Sequence, residues 1–268
     1  MKKIPQQTVG NVGRCIYCGK NDVKLTDEHI IPYGLNGFLL LKNASCEACA
    51  AITSNFEREV LRKSLLKSRI GLDLPTRHKD KRSYDFELTC RINGVQKNIQ
   101  LDPEDNFSVM ILPEYLPPAY IDGREIENGI SVYATTMVQV SGPPINNLKQ
   151  KYGFDQLSVS ATWTANDFPR LLAKIAYGCA VAEFGYENIE ENYVLPYIMG
   201  EKFDGISEWV GTAPDKIINQ KRFHTTSYCI TDKNDIMIRI KLFDIWDVPE
   251  YLVVVGKLNK NTSIYKKK

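Results

Sequence analysis

The chain has 268 residues, 43% of them hydrophobic and 25% charged, the balance of a soluble globular protein that can bury a core. It has no uninterrupted apolar run long enough to span a bilayer, which excludes a membrane-spanning helix. The net charge of +2 hides an asymmetry: residues 1–82 carry 15 Lys and Arg against 8 Asp and Glu (+7), and the remainder 19 against 24 (−5), so a basic N-terminal part suited to a polyanion precedes an acidic remainder.

Residues 1–13 read as a loose lead-in. Their positive charges have no apolar stretch behind them, so no secretory signal is expected and the cytoplasm is the expected compartment. A turn at Cys15-Ile16-Tyr17-Cys18-Gly19 comes next, then a short strand over Leu25 to Pro32. Pro and Gly make Pro32 to Gly37 a loop, and Phe38 to Leu41 is the expected second strand. Helical spacing begins near Cys46 and runs to about Ile70, with Ile52, Phe56 and Val60 at four-residue intervals followed by Leu61 and Leu65. Ser45 is the expected N-cap. Arg58 and Arg62, and likewise Lys63 and Lys67, lie one turn apart and give this helix basic flanks. Residues 71–83 read as a boundary.

The remainder has an α+β pattern. Residues 84–101 form a hairpin candidate turning at Asn93-Gly94. Strands are expected over Phe107 to Leu112 and Ile130 to Val140. A long, mostly apolar helix is expected from Asp167 to Phe184, with Asn166 as cap, Pro169 in the first turn and Gly185 at the end. Late strands follow at Ile236 to Phe243 and Tyr251 to Val255, and Lys266 to Lys268 form a frayed tail. On this helix, Arg170 and Lys174 read as a solvated edge. Trp163, Trp209 and Trp246 read as core or rim aromatics.

Seven cysteines are present. An odd number argues against a disulfide framework in the expected compartment. Cys90, Cys179 and Cys229 stand alone among apolar or β-branched neighbours and read as buried small hydrophobes. Cys15/Cys18 and Cys46/Cys49 form two Cys-x-x-Cys pairs, which together offer four thiolates to a tetrahedral structural Zn²⁺. A redox role does not fit, because neither pair sits between the strand and helix of a βαβ unit.

Between the pairs lies Asp27-Glu28-His29-Ile30-Ile31-Pro32. An acidic residue, His, two β-branched residues and Pro, set between one Cys-x-x-Cys and a second that opens a helix, resemble the zinc-containing branch of the HNH endonucleases over residues 14–62. The resemblance implies a ββα-metal unit around a catalytic divalent cation, Mg²⁺ or similar. It implies His29 as the base that activates water and Glu28 as an acidic metal ligand, with Asp27 as the fallback. Asn43, three residues before Cys46, takes the place of the family's orienting Asn, and Asn36 is the other candidate. The position directly after the last Cys, where the family has His or Asn, is Ala50, which can neither bind a metal nor donate a hydrogen bond. Asn55 lies about 140° around the helix from it.

The expected architecture is therefore a zinc-stapled ββα-metal module over 1–75 followed by a larger mixed α+β domain over 76–268. The expected function is a metal-dependent endonuclease acting on nucleic acid, DNA before RNA, with Arg58, Arg62, Lys63 and Lys67 gripping phosphates. A nucleic-acid-binding module with impaired catalysis is the alternative that Ala50 keeps open, and a zinc-held protein-interaction module is the third. The C-terminal part could sense a signal, form a homo-oligomer or position DNA. His78, among Arg77, Lys79 and Lys81, reads as solvated or at most as a phosphate contact, and no neighbour in the sequence gives His224 a role.

Overall fold

The computed structural model describes residues 5–76, 87–159, 162–163, 166–215 and 221–262. Its architecture is mixed α+β. The N-terminal region contains β1 (Gln7–Asn11), β2 (Leu25–His29), a 3-10 turn (Tyr33–Leu35), β3 (Leu39–Cys46), α1 (Glu47–Glu59), a π-helical turn (Val60–Ser64) and α2 (Leu66–Gly71). β3 is central in a three-stranded sheet, with β1 parallel on one side and β2 antiparallel on the other.

Several sequence expectations change here. Residues 7–11 are a strand rather than part of a loose lead-in. Gln7 to Asn11 carry no apolar alternation, and their order comes from pairing with β3, whose partners run from Leu39 to Lys42 with an irregularity between Thr8 and Gly10. Strand β2 ends at His29, three residues short of Pro32. The second strand extends five residues past Leu41, because Thr26 and Leu25 of β2 pair with Ser45 and Cys46. Ser45 therefore belongs to β3, and Cys46 is the N-cap of α1, without a side-chain cap bond.

The loop from Pro32 to Gly37 folds tightly under β2. A Cβ at Gly37 would lie 1.9 Å from the Ile31 carbonyl oxygen, so only glycine fits there. The helix expected over Cys46–Ile70 is broken by the π turn. There the Leu65 N–H reaches the Val60 carbonyl at 3.0 Å, five residues back instead of four. Both residues are fully buried.

The rest comprises β4 (Glu87–Ile92), β5 (Val95–Gln100), β6 (Ser108–Glu114), α3 (Ala119–Asp122), β7 (Ala134–Ser141), α4 (Ile145–Tyr152), β8 (Gln156–Leu157), α5 (Asp167–Phe184), β9 (Ile189–Asn192), α6 (Leu195–Met199), β10 (Val210–Thr212), β11 (His224–Ile230), β12 (Asp235–Leu242) and β13 (Tyr251–Leu258). The β4–β5 hairpin turns at Asn93-Gly94 with φ of 52° and 76°, the pair of positive angles that a two-residue type I′ turn needs. β6 pairs with β7, while β10, β13, β12 and β11 form an antiparallel sheet that β9 joins beside β13.

Helix α5 is the centre of the molecule. Its apolar residues are buried nearly all round, and it packs against α1, α6, β12 and β13. Asn166 stands at its N-cap, but its side chain makes no cap bond. Gly185, with φ of 86°, ends it. One hydrophobic cluster joins Cys15, Ile16, Ile30, Leu35 and Phe56 of the N-terminal region to Leu172, Ile175 and Ile240 of the remainder, so packing runs unbroken across position 75/76. A smaller cluster gathers Leu88, Cys90, Leu101, Leu148 and Phe154.

The readings of four single residues also change. Lys174 is 1% exposed. Arg170 donates to the Tyr197 and Ile198 carbonyls and stacks on Phe56, so neither cation is a solvated edge. Of the lone cysteines only Cys90 is buried; Cys179 is half-buried and Cys229 is exposed on β11. Cys229 lies with Ser227 and Tyr228 in an exposed stretch of β11, the edge strand of its sheet, which the apolar neighbours in the sequence conceal. His78 and Lys266 to Lys268 lie outside the described residues.

Candidate metal centre and the open side of strand β2

The two Cys-x-x-Cys pairs meet where β3 runs into α1. The Sγ atoms of Cys15, Cys18, Cys46 and Cys49 all lie within 4.8 Å of one another, with Cys18 and Cys46 at 3.8 Å. Four thiolates around zinc at about 2.3 Å would sit about 3.8 Å apart, so the donor set fits a tetrahedral metal. Burial opposes ionisation of Cys46, but the Cys49 N–H and the neighbouring thiols outweigh it and bring Cys46 down to about 7. Burial and the neighbouring thiols push Cys49 up. Four thiols crowded together without a cation cannot all ionise, and a divalent ion resolves that conflict. Tyr177 of α5 donates to the Ile16 carbonyl at 2.5 Å, tying the first knuckle to the core.

Strand β2 presents two different sides. Asp27 is exposed, Glu28 is buried and His29 is half-buried, and an irregularity between Thr26 and Glu28 leaves Asp27 out of the regular pairing of β2 with β3. On the open side, Asp27 accepts from Lys42 Nζ at 2.5 Å and from the Asn43 N–H at 3.3 Å. The Lys42 ammonium holds the Asp27 carboxyl below the usual carboxylate range, helped by the Asn43 N–H and by nearby His29. Asn43, in a left-handed conformation with φ of 49°, donates its side-chain N–H to Asn11 at 3.0 Å. Gln6 Nε2 lies 3.1 Å from His29 Nε2, which accepts its N–H when the neutral ring carries its proton on Nδ1. The His29 ring packs beside Tyr33 at 5.7 Å.

On the inner side, Glu28 forms an ion pair with Lys174 at 2.6 Å, and Lys174 pairs also with Glu57 of α1 at 2.9 Å. The carboxylate that the resemblance makes a metal ligand is thus committed to an ammonium and turned away from the His29 ring. Asp27, Asn43 and His29 are brought to one side and Glu28 to the other. Asn36 is 5% exposed and closes the 3-10 turn, donating its N–H to the Tyr33 carbonyl. Asn55 is exposed and accepts from Arg58 at 2.7 Å. Arg58, Arg62, Lys63 and Lys67 are all exposed, with Lys63 paired to Glu59.

Sequence reasoning missed Gln6, Asn11 and Lys42 because two of them lie on or beside the unrecognised β1. Lys42 could have been found from its alternation with Asn43 in a longer β3. It also missed His224, whose Nε2 lies 2.7 Å from the Leu35 carbonyl and whose Nδ1 accepts the Phe243 N–H at 3.1 Å.

The two knuckles, the acid-His-Ile-Ile-Pro segment between them and the helix after them form one continuous unit. Residues 15–66 match the HNH endonuclease family. The match covers the zinc-type knuckles, β2, β3, α1 and the π turn, and ends at the first residue of α2. No curated protein and no solved structure matches the chain at a significant level. Among the described residues no helix is long and apolar enough to cross a membrane.

Proposed function

We propose that the protein is a metal-dependent endonuclease that hydrolyses phosphodiester bonds in nucleic acid, with DNA as its substrate. The observation that carries this reading is the open side of β2, where His29 and an ionised Asp27 share one exposed face inside the segment that matches the HNH family.

In this reading His29 is the general base. Its Nε2 lone pair, covered by the Gln6 amide in the free protein, takes a proton from the attacking water once substrate displaces that amide. Asp27 replaces Glu28 as the acidic metal-facing group, because it is exposed and lies on the side of the imidazole. Asn43 and Asn11 position Asp27 and add amide oxygens. These hard donors suit Mg²⁺ or a similar divalent ion that keeps several waters. When bound, such an ion stabilises the charge that grows on the phosphate and leaving oxygens. Lys42 and the basic flank of Arg58, Arg62, Lys63 and Lys67 attract the phosphate backbone. The four cysteines hold a structural zinc.

One observation favours the alternative of a binding module with impaired catalysis. Ala50 offers no ligand, and the cysteines are the only group of three or more His, Cys, Asp or Glu placed around one point among the described residues. The test is nicking of supercoiled plasmid with Mg²⁺, Mn²⁺ or Ni²⁺. His29→Ala is expected to lower the rate by about 10²–10⁴-fold while zinc content and DNA affinity stay unchanged. DNA binding without nicking by any metal would leave the binding module standing.

A further inference from the structure

We infer that Lys174, on helix α5 and outside the segment that matches the nuclease family, is the residue that positions His29. The inference rests on the nuclease reading for its functional meaning and on geometry alone for the positioning.

Lysine has three N–H donors, and each donor of Lys174 has an acceptor on the candidate site's own framework. One goes to the Glu28 carboxylate at 2.6 Å and one to the Glu57 carboxylate at 2.9 Å. The third goes to the main-chain carbonyl of His29 itself, with the Ile30 carbonyl at 3.5 Å. Strand β2 and helix α1 are the two elements that a ββα unit must hold at a fixed distance. Both are tied to one ammonium that is 1% exposed.

The cluster has two carboxylates to one cation. Burial pushes the Glu57 carboxyl up, while Lys174 opposes that rise and Glu28 adds to it. A lysine that served only to neutralise charge would need one acid. This one also holds the main-chain carbonyl of His29, the last residue of β2. Small displacements of a reacting group cost large factors in rate, so a clamp on the His29 main chain acts on turnover and not on DNA affinity.

The test uses the full chain and two variants. Lys174→Met keeps the length of the side chain and removes the ammonium. Lys174→Met/Glu28→Gln/Glu57→Gln also removes the stranded carboxylates, and so serves where the single variant does not fold. Zinc content and thermal melting verify the fold. With histidine labelled in ¹⁵N, the three histidines are assigned with His29→Gln and His224→Gln.

The expected result is a shift of the His29 amide and ring signals, with those of His224 in place. It is accompanied by a drop in kcat of about tenfold or more with KM for plasmid within twofold. Unmoved His29 signals in a variant that keeps its zinc would overturn the inference. So would a rise in KM matched by an equal loss in kcat/KM at constant kcat. Absence of nicking by the native protein would bring down the nuclease reading instead, and the His29 signals would still decide the role of Lys174.

Discussion

The cysteine cluster suits a cation, the open side of β2 is the place we propose for a second one, and the two are built in opposite ways. The cysteine cluster has four soft donors within 4.8 Å, three of them buried. The Asp27–His29 side of β2 has one exposed carboxylate, one half-buried imidazole and exposed amide oxygens. The first is closed, as structural zinc sites are, and the second keeps positions open, as catalytic sites must. The contrast teaches that the metal which holds this fold and the metal which would act on substrate can be separated. One should be hard to remove and essential to folding. The other should be weak and essential only to turnover.

Stripping the zinc gives the largest expected effect. The two knuckles close the stretch containing β2 and most of β3, so binding free energy there is folding free energy. Zinc near one equivalent per chain is expected, and Cys46→Ser or a strong chelator should unfold the N-terminal region, read by proteolysis and circular dichroism. A zinc-free protein with that region intact would erase the contrast. Second, Ala50→His should strengthen the weak site without touching the strong one. The divalent concentration for half-maximal nicking should fall by about tenfold, with zinc content and melting unchanged. No change would mean that position 50 does not face the open side of β2.

Third comes a tie between the module and the C-terminal sheet. The His224 ring is pulled down to about 4 by burial, against the help of the Leu35 carbonyl. Protonating Nδ1 would also break its bond from the Phe243 N–H. The folded value lies below the unfolded one of about 6.5, so the unfolded chain takes up the proton first as pH falls. The stability held by the neutral ring is complete above about pH 6.5. It is lost between there and pH 4, by roughly 3 kcal/mol at about 1.4 kcal/mol per unit. Denaturant melts of the native protein should show this slope, and His224→Gln should lack it. Fourth and smallest, Arg58→Ala/Arg62→Ala should flatten the slope of log affinity against log salt by about 2. An unchanged slope would assign these arginines to solvent.

Much of this was legible in the chain itself, for local reasons. A Cys-x-x-Cys pair is a four-residue event, and its donors cannot point far apart. Helix α5 showed its start, its end and its buried character through Pro169, Gly185 and a continuous apolar surface. The β4–β5 turn followed from Asn93-Gly94. What stayed hidden depends on partners far along the chain. Strand β1 has no apolar pattern of its own and exists by pairing with β3. Lys174 looks like a solvated edge because helical periodicity says nothing about two carboxylates 146 and 117 residues away. Which of the adjacent carboxylates Asp27 and Glu28 is buried against Lys174 stayed hidden because a motif lists residues in order, and only the fold, with its irregularity between Thr26 and Glu28, says which side each takes.

The π turn at Val60–Ser64 has a consequence for the length of the chain. Val60 and Leu65 are buried on one face although five residues separate them, where a regular helix would bring residues four apart together. The turn therefore behaves as a one-residue insertion whose extra residue is looped to the surface. A deletion of Arg62 should let α1 and α2 wind as one regular helix, with Phe56, Val60 and the former Leu65 still in line. Insertion of a second residue should rotate Leu65 and Arg69 out of the core. Length changes in this helix should thus be tolerated in one direction only, and the shorter chain would surrender one surface cation for a straight helix.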